Sequence, residues 1–298
     1  MHADEVETDV SLVGRLLAAQ FPQWADLPIE PVPSAGTDNA LYRLGHDMAV
    51  RLPRIHRAVK DLDKEHQWLP RLAPLLPVAI PEPLGQGEPA EGYAWRWSVY
   101  RWLAGENPAV GRIADPASLA TELAQFIAAL QRIDPTGGPP AGRGVPLEAR
   151  DAPTRAAIDA LQGIVDTAAV TAAWDAALQA PAWPGPPVWV HGDLSPGNLL
   201  SVDGRLSAVI DFGGLGVGDP ACDLIVAWNL LPADTRIDFR AALRVDDATW
   251  ERGRGWALSV ALIQLPYYHS TNPALAANAR HVIGEVLADH QKRRPGDG

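Results

Sequence analysis

The chain is expected to fold as an α+β protein of two lobes, a small antiparallel sheet followed by a mainly helical region. Three observations carry this. Short β-branched and aromatic runs crowd the first hundred residues, and helical apolar spacing governs the remainder. The two regimes meet at a break of Ala104, Gly105, Glu106, Asn107 and Pro108. A lobe boundary after residue 103 divides the chain into 1–103 and 104–298. At 298 residues and 47% hydrophobic content, the chain can bury a core in each.

In chain order, Val10, Val13, Leu16, Leu17 and Phe21 recur at helical spacing, and Thr8 or Asp9 is placed to cap them. Residues 28–34 read as an edge strand, because their prolines cannot donate to a ladder. Gly36, Thr37, Asp38 and Asn39 form a turn signal. Leu41, Tyr42 and Leu44, then residues 48–52, make two more strands around Gly45, His46 and Asp47. Leu62, His66 and Leu69 share one side of a helix over 60–69, which Pro70 is expected to stop or kink. Residues 93–103 read as one long strand.

Past the break, Asp115 and Pro116 are an N-cap and first-turn pair for a helix carrying Leu119, Leu123, Phe126, Ile127 and Leu130. Residues 137–146 form a Gly/Pro loop. Further helices are expected over 154–164 and 167–178, after Asp219 and Pro220, from Asp247 or Thr249, and from Asn272 and Pro273. The tail from residue 291 is expected to be disordered.

Composition excludes several functions. A net charge of −11 argues against nucleic acid as a partner. No run of about 18 apolar residues marks a membrane span. The acidic start lacks a signal peptide, so a cytoplasmic protein is expected. The single cysteine, Cys222, rules out an internal disulfide and a cysteine-built zinc site, and reads as a small core residue.

The chemistry concentrates in His191, Gly192, Asp193, Leu194, Ser195, Pro196, Gly197 and Asn198, just after the short apolar run Val188, Trp189, Val190. A second apolar run over 206–210 ends on Asp211, Phe212, Gly213 and Gly214. Asp193 can accept a proton from a hydroxyl. Asn198, across a Pro-Gly turn, can offer a carbonyl oxygen to a hard cation, and Asp211 supplies a second oxygen. Mg2+ keeps waters and phosphate oxygens, so two protein ligands suffice. A base, an asparagine and an aspartate at strand ends are the equipment for phosphoryl transfer from a metal-bound nucleotide.

These runs, with Gly218, Asp219, Pro220, Ala221, Cys222, Asp223 and Leu224, resemble the aminoglycoside phosphotransferase family of small-molecule kinases, macrolide kinases included. The resemblance implies a protein-kinase-like bilobal fold and carries a set of roles. Asp193 orients and deprotonates the acceptor hydroxyl. Asn198 and Asp211 hold Mg2+ against the phosphates of ATP or GTP. His191 organises the loop, and Asp223 accepts hydrogen bonds from its backbone. In the first lobe, Thr37 and Asn39 belong to a loop over the phosphates. Arg51 stands where relatives place a lysine, with Glu65 as its ion-pair partner. The main chain of Arg101 and Leu103 meets the purine edge.

The acceptor expected is an aminoglycoside, with Asp234, Asp238, Asp246, Asp247 and Glu251 available to its amines or simply solvated at helix ends. Arg51, Leu52, Pro53 and Arg54 suggest a macrolide kinase instead, with Trp256, Tyr267 and Tyr268 as pocket or core residues. A metabolic kinase for choline, a sugar or an amino alcohol is a further alternative. A non-catalytic nucleotide-binding module would need a degraded site, and Asp193, Asn198 and Asp211 are intact. A monomer is expected, by analogy with the family.

Overall fold

The computed structural model describes residues 6–33, 38–269 and 271–292. Two compact units emerge. One comprises Met1–Glu106 and Ser207–Gly213, the other Asn107–Leu206 and Gly214–Gly298. The segment carrying Asp211 thus returns to the first unit.

The first unit is a five-stranded antiparallel sheet with helices. Its strands are β1 (Ile29–Pro31), β2 (Asn39–Leu44), β3 (Met48–Pro53), β4 (Pro83–Gly87) and β5 (Trp97–Arg101), in the order β1-β2-β3-β5-β4. Helix α1 (Val10–Gln20) is capped by Asp9, whose Oδ1 accepts from Leu12 N at 2.7 Å. Its Leu12, Val13, Leu16 and Leu17 pack with Tyr42, Leu44, Val50, Leu52, Trp97 and Val99 in one core. Alternation along β3 sends Val50 and Leu52 into that core and leaves Arg51 for the other face.

Two expectations are corrected here. Helix α2 (His56–Leu72) starts earlier and runs through Pro70 instead of ending before it. Pro70 lies two residues from the helix end, so its missing N–H removes one bond from the last turn. The long strand read over 93–103 shrinks to β5. Ala90 and Tyr93 instead exchange main-chain hydrogen bonds around Glu91 and Gly92, both at positive φ. Tyr93 is buried there, its hydroxyl donating to Pro53 O at 2.6 Å.

The second unit is mainly helical. It contains α3 (Pro116–Arg132), α4 (Asp151–Ala160), α5 (Thr167–Leu178), β6 (Val188–Val190) and β7 (Leu199–Val202). Strand β8 (Arg205–Val209) forms a hairpin with β7 and leads the chain back to the first unit. Beyond it come β9 (Gly216–Gly218), α6 (Val226–Asn229), α7 (Arg236–Leu243), α8 (Asp247–Tyr268) and α9 (Pro273–Lys292). Asp115 caps α3 as expected. Asp246, not Asp247 or Thr249, caps α8. Asp219 and Pro220 open a 3-10 turn, Pro220–Ile225, before the single turn of α6. Helix α9 includes Gln291 and Lys292, and the rest of the expected tail lies outside the described residues. Among the described residues no helix is long and apolar enough to cross a membrane.

Strand β9 pairs antiparallel with β6, Trp189 opposite Val217. On its other side it holds the loop around residues 139–144. Val217 N donates to Pro139 O at 2.8 Å, Ala141 N to Val217 O at 3.0 Å and Asp219 N to Gly144 O at 2.7 Å. Two glycines allow this approach. A Cβ on Gly216 would lie 2.5 Å from Ala141 Cα, and one on Gly218 would overlap Gly144 O. Gly218→Ala is therefore expected to destabilise the protein by about 1–3 kcal/mol, read as a lower urea midpoint at unchanged slope. An unaltered midpoint would mean that the loop can move away freely.

Candidate active site

In the second unit the site is built at the end of β6, where Trp189 and Val190 are fully buried. The chain then turns through His191, fully buried, and Gly192 at φ 79°. A Cβ on Gly192 would stand 2.6 Å from Gly214 O, so only glycine fits. The two carboxylate oxygens of Asp223 accept the N–H groups of His191 and Gly192 at 2.8 and 2.7 Å. Burial pushes the Asp223 carboxyl above the ordinary range, and His191 with these N–H groups opposes it. Cys222, beside it in sequence, is fully buried, and burial, then Asp223 and Asp219, raises its thiol well above normal.

The loop ends as it begins, on side-chain clamps. Asp193 N donates to His191 Nδ1 at 3.2 Å. Asn198 Nδ2 donates to Asp193 O at 2.8 Å and faces Asp193 Oδ2 at 3.3 Å. That orientation leaves the Asn198 Oδ1 carbonyl for a cation. Three clamps were not legible in the sequence. Asn229 Nδ2 donates to Leu194 O at 2.8 Å. Asn107 Nδ2 donates to Gly197 O and Leu199 O at 3.0 and 2.8 Å. Arg143 donates to Gly192 O at 3.0 Å and to Asp193 Oδ1. Each stands 35 or more residues from its partner, and no local pattern marks it. Asp193 itself is 38% exposed along its side chain, open enough to meet a substrate.

Asp219 does more than cap its turn. Its Oδ1 accepts from Ala221 N at 3.0 Å, while Arg252 on α8 donates to its two oxygens at 2.7 and 3.2 Å. Arg252 also reaches Pro181 O and Thr249 Oγ1, at 2.6 and 3.1 Å, so this buried ion pair is supported by further hydrogen bonds.

In the first unit, Arg51 Nη1 donates to both oxygens of the fully buried Glu65, at 2.9 and 2.8 Å. Tyr100 on β5 donates its hydroxyl to Glu65 Oε2 at 2.6 Å. Burial opposes the Arg51 charge, but Glu65, Tyr100 and Asp211 outweigh it and raise its pKa. Burial, then Glu65, pushes the Tyr100 hydroxyl well above normal, so Tyr100 stays a donor. Arg51 Nη2 lies 3.9 Å from Asp211 Oδ1. Asp211 has φ 61°, which turns the chain sharply after β8 and leaves its carboxylate half-exposed. Lys64 on α2 donates to Gly213 O and pairs with Asp61 at 3.3 Å. The β3 cation, the α2 carboxylate and the Asp211 loop are thus tied together.

Among the described residues no three His, Cys, Asp or Glu side chains form a metal cluster. Asn198 Oδ1 and the Asp211 carboxylate are instead separate hard oxygen donors of the type that Mg2+ accepts alongside water and phosphate.

The remaining expected residues divide. Thr37 lies outside the described residues. Asn39 opens β2, its buried Oδ1 without a hydrogen-bond partner among the described residues, and lines a cavity of about 690 Å3 with Asp9, Tyr42 and Arg54. Arg101 N donates to Glu82 O at 2.9 Å, so its amide is engaged. A purine edge would have to use its carbonyl, with Leu103 beyond. Of the late acids, Asp246 is a cap, Asp247 pairs with Arg240 and Glu251 with Arg254, whereas Asp234 and Asp238 are exposed. Trp256 is fully buried, and Tyr267 is half exposed.

This geometry makes two outcomes measurable. Asp223→Ala leaves two buried N–H groups without acceptors and should destabilise the protein by about 1–3 kcal/mol for each, measured by denaturant unfolding. Burial holds His66, which contacts Ser98 and Tyr100, below the usual imidazole value, with Glu65 and Asp63 opposing. Its contribution is complete above about pH 6.5 and is lost as pH falls below that toward the folded value, because the unfolded chain binds the proton first. His66→Gln should therefore lose less stability than wild type between about pH 7.5 and pH 5.5, measured as urea midpoints.

The model of the APH phosphotransferase enzyme family matches residues 29–256. An aminoglycoside 3'-phosphotransferase from Escherichia coli is 49% identical over 45 residues, which are 15% of this chain and 17% of that protein's length. Among solved structures, the GDP and kanamycin complex of an APH(2") enzyme superimposes with a TM-score of 0.76 at 21% identity, covering 93% of this chain and 98% of the other. Macrolide 2'-phosphotransferase from Brachybacterium faecium gives 0.64 at 22% identity, covering 97% and 99%. At such identities these structural likenesses show the fold alone.

Proposed function

The chain belongs to the APH phosphotransferase enzyme family, and we propose that it transfers the γ-phosphoryl group of a nucleoside triphosphate to a hydroxyl of a small molecule, an aminoglycoside first. The observation that carries this is the Asp193 carboxylate, 38% exposed along its side chain in a loop held by Asp223, Asn198 and Asn229. Asp193 orients the acceptor hydroxyl and takes its proton as the oxygen–phosphorus bond forms. Phosphoryl transfer has a loose transition state, so alignment of the acceptor counts for more than a strong base. Arg51, anchored on Glu65 through Nη1, is the cation offered to phosphate oxygens. Asn198 through Oδ1 and Asp211 through its carboxylate would hold Mg2+, which when bound neutralises charge on the phosphates.

The aminoglycoside reading is supported by the curated relative's activity, by the kanamycin in the neighbouring structure and by the net charge of −11, which suits a polycationic acceptor. A macrolide acceptor is favoured by the neighbouring macrolide 2'-phosphotransferase and by the Arg51–Arg54 stretch. Neighbouring structures hold GDP, ADP or ATP, so both donors are to be tested.

The test is a panel of kanamycin, a macrolide and choline, each with ATP and GTP, with Mg2+ and with EDTA. Asp193→Asn is expected to lower kcat about 100- to 10,000-fold while nucleotide affinity stays within about twofold. Loss of nucleotide binding in that variant would make Asp193 a structural or metal residue. Turnover that persists in EDTA would remove the roles given to Asn198 and Asp211.

A further inference from the structure

Arg143 has so far been described only as a clamp on the loop. It lies in the Gly/Pro loop that β9 holds by three main-chain hydrogen bonds, so its backbone is fixed. Its side chain is 30% exposed, and its guanidinium reaches the loop through one nitrogen, Nη1, which donates to Gly192 O at 3.0 Å and to Asp193 Oδ1. Arg143 is thus a cation placed on the carboxylate assigned as the base.

A carboxylate rotates about its last torsion with little preference for any angle. An acceptor hydroxyl needs one oxygen held in place. In this structure Oδ1 is tied to the same Arg143 nitrogen that binds Gly192 O, and the other oxygen faces Asn198 Nδ2 at 3.3 Å. A carboxylate oxygen has room for more than one donor, so Oδ2 can still accept from a hydroxyl. In a loose transition state the proton leaves late, so alignment of the acceptor oxygen counts for more than the strength of the base.

We propose that Arg143 is a positioning residue for phosphoryl transfer: it locks Asp193 through Oδ1 and Gly192 O, and so turns Oδ2 to the acceptor. This rests on the reading of Asp193 as the base. It also explains why the loop at residues 139–144 is sewn so tightly to β9. A guanidinium on a wandering loop could not define an angle.

The test uses the full chain with the fastest acceptor in the panel. Arg143→Ala is expected to lower kcat about 10- to 100-fold, with acceptor KM and nucleotide affinity changed less than about threefold. Arg143→Lys, or methylguanidinium added to the alanine variant, should restore part of kcat. In an Asp193→Asn background, Arg143→Ala should have no further effect on the residual rate, because it acts through the lost carboxylate. A rise in KM alone, an equal loss in both backgrounds, or no rescue by lysine or methylguanidinium would overturn the proposal. A crystal structure of Arg143→Ala needs no acceptor: Asp193 is expected to leave its present rotamer, and an unchanged, single rotamer also overturns it. If Asp193→Asn keeps full activity, the base assignment fails separately, and the crystal structure still decides whether Arg143 sets the rotamer.

Discussion

The catalytic loop rests on one carboxylate. Asp223 accepts two successive buried N–H groups, those of His191 and Gly192, just where the chain leaves β6 and bends at positive φ. Without that acceptor, two polar groups would be sealed from water unpaired, and a bend only glycine can make would have nothing to hold it. Everything downstream inherits this anchor: His191 meets the Asp193 amide, Asn198 ties the carbonyl of Asp193, and Asn229 holds that of Leu194. The acid held in a raised-pKa environment is thus the supporting one, while Asp193, to which the proposed chemistry is given, is 38% exposed along its side chain.

The first unit solves a related problem with charge. Under the proposed function, Arg51 is the cation that meets phosphate, and such a cation must be fixed before phosphate arrives. Glu65 and Tyr100 hold Arg51 from the buried side, and burial alone would oppose its charge. Arginine suits this arrangement, because one nitrogen can bind the carboxylate while the others remain. The same helix reaches the loop after Asp211 through Lys64, so Arg51 and Asp211 share one support.

The chemistry was legible in the sequence because it is local. His191, Asp193, Asn198 and Asp211 lie within 21 positions of one another and need only two turns to be recognised. The α+β class was legible because strand and helix periods differ sharply on either side of residue 103. Supports joined by tertiary contact were not. Arg143, Asn107 and Asn229 reach the loop from far along the chain. Strand β9 has three residues and two glycines, and α7 is only eight residues long and exposes Ile237 while burying Arg236, so hydrophobicity does not mark its buried side. Pro70 misled because it costs the helix one main-chain bond, while the burial of Trp68, Leu69 and Leu72 on either side carries the helix past it.

The buried thiol of Cys222 carries one more meaning. It is the chain's single cysteine, and its Sγ lies 3.9 Å from Asp223 Oδ1, under the anchor of the catalytic loop. Sealed from solvent and held protonated, it is inert in the native state. A thiol reagent can reach it only when the anchor opens. The protein therefore carries a built-in clock, whose labelling rate times the opening of its own catalytic support.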